Sequence, residues 1–240
     1  MKIAVLVCGM YREFDIAVKS WNFIHELECD VYFSTWNKSK QKNSKLGIVV
    51  DEDINEDRIK NHIPNATISI LNDENYNHLR NPEKLIFHWK RCLEMIENNQ
   101  VKYDMIILTR PDNYTIFGMG SDEILKYNKK DRIYGLEEIK NEGYGMFIQD
   151  IFFMGDYEIM SNLIKTIPNK FNTNEAGGSI HYHLSKHVID CNLIVEPIDR
   201  LYVVTVRANS RELKEITLNS IFEKTMIWGD NQIQYNENNT

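Results

Sequence analysis

The sequence predicts an α/β fold: an open, mostly parallel sheet with helices on both faces and a mixed C-terminal part. Three observations predict it. Two short apolar runs, KIAVLVC and DVYFSTW, flank a segment of helical period at the start of the chain. A later apolar run, YDMIILTRPD, follows a second amphipathic segment. Beyond residue 117 strand-like runs crowd together, which predicts antiparallel pairing there. A β-α-β opening implies parallel neighbours joined by a right-handed crossover.

The elements follow in order. KIAVLVC (2–8) reads as a fully buried strand ended by Gly9. In the next segment Phe14, Ala17, Val18, Trp21 and Ile24 recur at helical spacing, predicting one amphipathic helix. DVYFSTW (30–36) is the second strand. Residues 37–53 are polar and read as loop, DINEDRIKNHI as a short helix, and ATISIL (66–71) as a third strand. NDENYNHLRNP (72–82) reads as loop, before Leu85, Ile86, Trp89, Leu93 and Ile96 line one face of a helix. The strand within YDMIILTRPD follows.

In the second half SDEILKY predicts a short helix, DRIYGL a strand, and GYGMFIQDIFFMGD a strand, a turn and a strand. YEIMSNLIKTI is helical, with Ile159, Met160, Leu163 and Ile164 inward. GGSIHYHLSKHVID is another helix, and CNLIVEPI and LYVVTVR close as strands. No linker-like segment divides the chain, so residues 1–228 read as one domain, with 229–240 a flexible, polar tail.

Composition narrows the function. Hydrophobic content of 42% and charged content of 26% are ordinary for a globular chain. The apolar runs fall far short of the roughly 20 residues a membrane span needs. The opening MKIAVLVCGMYRE fits a first strand better than a secretion signal, because no small-residue cleavage site follows. Cys8, Cys29, Cys92 and Cys191 match neither a zinc site nor a disulfide framework, and read as free thiols of a reducing cytoplasm. A formal net charge of −7 opposes binding to a polyphosphate backbone but permits a small phosphorylated ligand held by local cations.

In open α/β sheets, ligands bind beyond the carboxyl ends of the strands. Gly9, Tyr11 and Arg12 follow the first strand. The glycine permits close backbone approach, and an arginine can clamp a phosphate with two parallel hydrogen bonds. The same residues also read as a turn followed by a surface arginine. Ser34, Thr35 and Trp36 end the second strand and suit a base or ribose, or else simply pack inward. Arg110 and Asp112 flank Pro111, which holds Arg110 extended so that both side chains share a face. They suit a phosphate and a divalent cation, or form a salt bridge with each other. Asp150 is a lone carboxylate in the apolar run MFIQDIFFMG, either a general base raised by desolvation or a satisfied turn residue. Glu175 precedes AGG, with His181, His183 and His187 beyond it. His183 and His187 share a helical face, but zinc would need a third ligand and the HExxH motif is absent. The chain also lacks GxxxxGK[ST], GxGxxG and GxSxG, against P-loop, dinucleotide-binding and α/β-hydrolase chemistry.

Taken together, the Gly-x-x-Arg strand end, STW, YDMIILTRPD and QDIFFMGDYEIM resemble a known family. It is the GT-A-type glycosyltransferase-like proteins of bacteria, phages and large viruses related to the WavE lipopolysaccharide-synthesis group. There a YD-x-I-I-x-x-R-x-D strand end stands where other GT-A enzymes carry Asp-x-Asp, and a later D-x-F-x-x-G segment precedes a Met-containing helix. Here these are Arg110 and Asp112, then Asp150, Phe152 or Phe153, and Gly155, with Met160 in the helix. The resemblance spans roughly residues 1–207.

It implies a Rossmann-like GT-A domain with a nucleotide-binding half over 1–117 and an acceptor-side half over 118–228. It implies sugar transfer from a nucleotide-sugar donor to a glycan or other hydroxyl acceptor, in the cytoplasm, or the host cytoplasm for a phage or viral protein. Gly9, Tyr11, Arg12, Ser34, Thr35, Trp36, Arg110 and Asp112 would bind the donor, with Arg110 also acting in catalysis. Asp150 would activate the acceptor, with Glu175 and His181 on the acceptor side. Asp112 would ligate Mn²⁺ or Mg²⁺, and Arg207 would reach a phosphate. Arg110 replaces the first Asp of the usual pair, which weakens a site for a hard cation. The alternatives are an inactive GT-A-like module that binds a nucleotide or glycan, a phage DNA-base glycosyltransferase, and an assembly protein on the same fold.

Overall fold

The computed structural model describes residues 1–43, 48–117, 124–141, 145–171, 179–198, 201–205, 227–229 and 232–234. Its strands are β1 (Ile3–Cys8), β2 (Asp30–Trp36), β3 (Lys38–Asn43), β4 (Ile48–Asp53), β5 (Thr67–Leu71), β6 (Met105–Thr109), β7 (Asn113–Phe117), β8 (Arg132–Asn141), β9 (Gly145–Asp156), β10 (Ile194–Pro197), β11 (Leu201–Thr205), β12 (Ile227–Gly229) and β13 (Gln232–Gln234). The central sheet has seven strands in the order β10-β8-β9-β6-β1-β2-β5. β6, β1, β2 and β5 run parallel, β9 is antiparallel to both β6 and β8, and β10 is parallel to β8. This is the α/β architecture that the alternating first half and crowded second half predict.

Alternation along β1 sets the two faces of the sheet. Ile3, Val5 and Val7 join a core with Phe14, Trp21, Phe23 and Ile59. Ala4, Leu6 and Cys8 join another with Ile86, Trp89, Leu93, Met160 and Leu184. The second core is covered by the helices Asn81–Asn98, Tyr157–Thr166 and Ile180–Asp190. No helix among the described residues is long and apolar enough to cross a membrane.

Several elements differ from the sequence reading, among them β7, which the sequence reading does not contain. The single helix expected after β1 is two four-residue helices, Phe14–Ala17 and Phe23–Glu26, around a 3₁₀ turn at Val18–Ser20. The Ser20 hydroxyl donates to the Ala17 carbonyl at 2.8 Å, a local bond that competes with helix continuation. Trp21 then turns inward, its indole N–H donating to the Asn113 carbonyl at 2.7 Å. The polar stretch after β2 forms the β3–β4 antiparallel hairpin, with lysines of β3 in register with acidic residues of β4, Lys38 opposite Asp53 and Lys40 opposite Asp51. Cross-strand charge pairing of this kind supports the ribbon.

The expected strand-turn-strand around Asp150 is one 12-residue strand, β9. It pairs antiparallel with β8, and the register shifts twice along the pair. Of the expected tail, Gly229 and Gln232–Gln234 belong to the paired β12 and β13, while residues 230–231 and 235–240 lie outside the described residues.

Candidate functional site

The strand order brings the predicted residues to one sheet edge. β1 and β6 are adjacent and parallel, so Gly9 to Arg12 and Arg110 to Asp112 leave the sheet side by side. β9 runs antiparallel to β6 with Phe152 opposite Thr109, which carries Asp150 to the same end. Gly9, Arg12, Trp36, Arg110, Asp112 and Asp150 line a cleft of about 380 Å³.

The backbone after β1 is unusual. Gly9 has φ of +119°, and a Cβ built there would meet Leu85 Cδ1 at 3.4 Å. Arg12, a non-glycine residue, has φ of +43°. Left-handed backbone at an arginine is strained, and such strain concentrates at functional sites.

Its side chain explains the placement. Arg12 Nη1 donates to Asp112 Oδ2 at 2.5 Å. Arg110 grips the same carboxylate with two bonds, Nε to Oδ1 at 3.0 Å and Nη2 to Oδ2 at 2.9 Å. Asp112 is 1% exposed, so the carboxylate is a buried anchor for two guanidinium groups. The Arg–Asp salt bridge considered from the sequence is therefore present, and it is one part of a larger cluster.

Arg110 Nη1 also faces Asp150 Oδ2 at 3.6 Å. Burial lowers the Arg110 proton affinity, but Asp112 and Asp150 outweigh it and raise the net value. For Arg12 burial prevails over Asp112, and the net shift is downward. Asp150 is 2% exposed, and its Oδ1 has no hydrogen-bond partner among the described residues. His181 Nδ1 lies 3.3 Å from that oxygen and accepts from the Asp150 backbone N–H, also at 3.3 Å.

Three predicted donor residues do not line the cleft. Tyr11, Ser34 and Thr35 are fully buried. The Tyr11 hydroxyl bonds Asp15, its ring packs edge-on against Phe14 at 5.1 Å, and Arg58 lies over it at 4.8 Å. Burial, then Asp15, pushes its phenol pKa up. All three side chains therefore lie in the core and not on the cleft wall. Trp36 reaches the cleft but is 3% exposed, with rings of His88, Tyr76 and Phe87 and the Lys84 ammonium around it. It is a packed wall and has no open face for stacking. Glu175 and Arg207 lie outside the described residues. His183 stacks on Phe171 at 4.3 Å, while His187 Nε2 meets Thr166 Oγ1 at 3.0 Å, so the two take separate packing roles.

The sequence reading missed one wall of the cleft. Asn81, Lys84, Leu85 and His88 line it from the helix Asn81–Asn98. Their i, i+3, i+4, i+7 spacing was a readable stripe, hidden beside the stronger apolar one. Pro82 in the first turn and Glu83, which accepts from the Arg80 backbone N–H at 2.9 Å, fix where this helix begins. Lys84 pairs with Asp73 at 2.5 Å. His88 is fully buried, its Nδ1 lies 2.7 Å from Ser34 Oγ, and its Nε2 has no hydrogen-bond partner among the described residues.

Burial, and then the Lys84 ammonium, pushes the His88 pKa down to about 3. The native state thus leaves this imidazole neutral where the unfolded chain protonates it, below an ordinary pKa of about 6.5. Stability from this group is present above pH ~6.5 and falls by about 1.4 kcal/mol per pH unit below it, down to pH ~3. His88→Asn, whose amide oxygen can still accept from Ser34, removes that slope. Between pH 6.5 and pH 5 the wild type is expected to lose about 2 kcal/mol more than the variant in urea unfolding. Equal slopes would mean that His88 is protonated in the folded protein.

The four cysteines are free thiols, and Cys8 and Cys92 face each other in the core with sulfurs 3.4 Å apart. Burial pushes the Cys8 pKa up, which suits packing better than reactivity. Among the described residues, no group of three or more His, Cys, Asp or Glu side chains is placed to hold a metal ion. Compared with known proteins, the chain matches no protein-family model and no curated protein at a significant level.

Proposed function

We propose that the protein is a glycosyltransferase that moves a sugar from a nucleotide-sugar donor to a hydroxyl acceptor. One observation carries this reading. Arg12 and Asp150 line the same cleft, which offers guanidinium donors for a leaving diphosphate and a carboxylate oxygen without a hydrogen-bond partner among the described residues. Sugar transfer needs both functions.

The chemistry follows from the atoms. Asp150 takes the acceptor hydroxyl proton as the acceptor oxygen bonds to the anomeric carbon. The bond from that carbon to the diphosphate oxygen breaks, and the electron pair leaves with the diphosphate. Arg12 stabilises the charge that develops there. Preorganised donors act strongly in a partly desolvated cleft because little reorganisation is needed as charge moves.

A thermal-shift screen of UDP-, GDP- and ADP-sugars tests the reading. A true donor at a hundredfold excess over its Kd is expected to raise Tm by about 5–10 °C. No shift with any nucleotide sugar would remove the donor site. A catalytically silent binding module is the second reading, favoured by charge balance: Arg12, Lys84 and Arg110 are each paired with a carboxylate of the same cleft, Asp112, Asp73 and Asp150. Binding without turnover would select it.

A further inference from the structure

The resemblance places a divalent cation at Asp112, and the residues present do not fit one. Mn²⁺ and Mg²⁺ take several oxygen ligands, and carboxylates usually lead the set. Both Asp112 oxygens already accept from guanidinium groups, Oδ1 from Arg110 Nε at 3.0 Å and Oδ2 from Arg110 Nη2 at 2.9 Å and Arg12 Nη1 at 2.5 Å. The other cleft carboxylate at this end, Asp150, also faces Arg110, at 3.6 Å. Arg110 therefore contacts both carboxylates that a cation would have to bridge.

We propose that this site binds the diphosphate of its ligand without a divalent cation. Arg12 is the contacting group, and Arg110 is a positioning residue that holds Asp112 and, through it, Arg12. The inference rests on the donor reading above. The two arginines differ in what they have left to offer. Arg110 directs Nε and Nη2 to Asp112 and Nη1 to Asp150. Arg12 commits Nη1 alone, and its remaining N–H donors have no partner among the described residues. Its side chain is also the more exposed, at 25% against 16%. Neighbouring Gly9 lets a ligand approach the backbone closely.

The strained backbone at Arg12 supplies a clean test. Glycine adopts φ of +43° without penalty, so Arg12→Gly removes the guanidinium while relieving the main chain. Asp112 keeps both Arg110 bonds in that variant.

The experiment is titration calorimetry with UDP, GDP and inorganic pyrophosphate, first in excess EDTA and then in excess Mn²⁺ or Mg²⁺. The tightest probe is expected to bind within about threefold of the same affinity in both conditions. Arg12→Gly is expected to weaken that binding by about tenfold or more with Tm maintained, as loss of a charge-assisted contact requires. Binding that appears only with the metal would overturn the inference and leave the donor reading standing. Unchanged affinity in Arg12→Gly would remove Arg12 as the contact. No binding of any probe in either condition would defeat the donor reading and this inference with it.

Discussion

Asp112→Ala is expected to destabilise the protein by about 3–5 kcal/mol, the largest loss of any single change at the site. Asp112 is 1% exposed and anchors Arg12 and Arg110 through three hydrogen bonds. Truncating it leaves two partly buried guanidinium groups repelling each other, with Asp150 as the nearest counter-charge, 3.6 Å from Arg110. Urea unfolding measures the loss directly, provided that the slope of the transition is unchanged. A loss below about 1 kcal/mol would mean that the cluster behaves as a screened surface salt bridge.

Asp150→Asn is expected to reduce sugar transfer by about 10²- to 10⁴-fold, the range of a lost general base. Donor binding is expected to persist, because Arg12 and its Asp112 anchor are untouched. Tm is also expected to hold. Asp150 Oδ1 is buried without a hydrogen-bond partner among the described residues, so relief of a desolvated carboxylate offsets the loss of its pairing with Arg110 at 3.6 Å. A purely structural Asp150 would give the opposite pattern, with lower Tm and little change in rate. Residues that function leaves under-satisfied often cost stability in this way.

Much of the fold was legible in the sequence because buried strands leave a plain record. IAVLVC, DVYFSTW and MIILT are short apolar or β-branched runs, and each is a central strand of the sheet. Placement of Gly9, Arg12, Arg110 and Asp112 followed from chain direction alone, since parallel strands release their next residues at one edge. Periodicity misled after β1, because a local Ser20 bond and the inward turn of Trp21 outweigh the helical pattern. The β3–β4 hairpin was invisible because its support is charge pairing, which apolar alternation does not record.

The cleft was harder to read than the sheet. Ser34, Thr35 and Tyr11 occupy the expected segments, but side-chain direction turns all three into the core. Lys84 and His88 come from the helix Asn81–Asn98, which packs against β1 and β2. Their approach depends on packing between the helix and β1, for which a strand-end rule has no term. Asp150 stood out as one charge in an apolar run, and that signal led to the cleft even though the predicted turn around it is a continuous strand.

The most direct test of the account is release of nucleoside diphosphate from a panel of nucleotide sugars in excess EDTA, with wild type and Asp150→Asn compared. Release from at least one donor is expected from the wild type, and release slower by about 10²-fold or more from the variant, with that donor still bound. Equal release by both proteins, or none by the wild type from any donor, would contradict it.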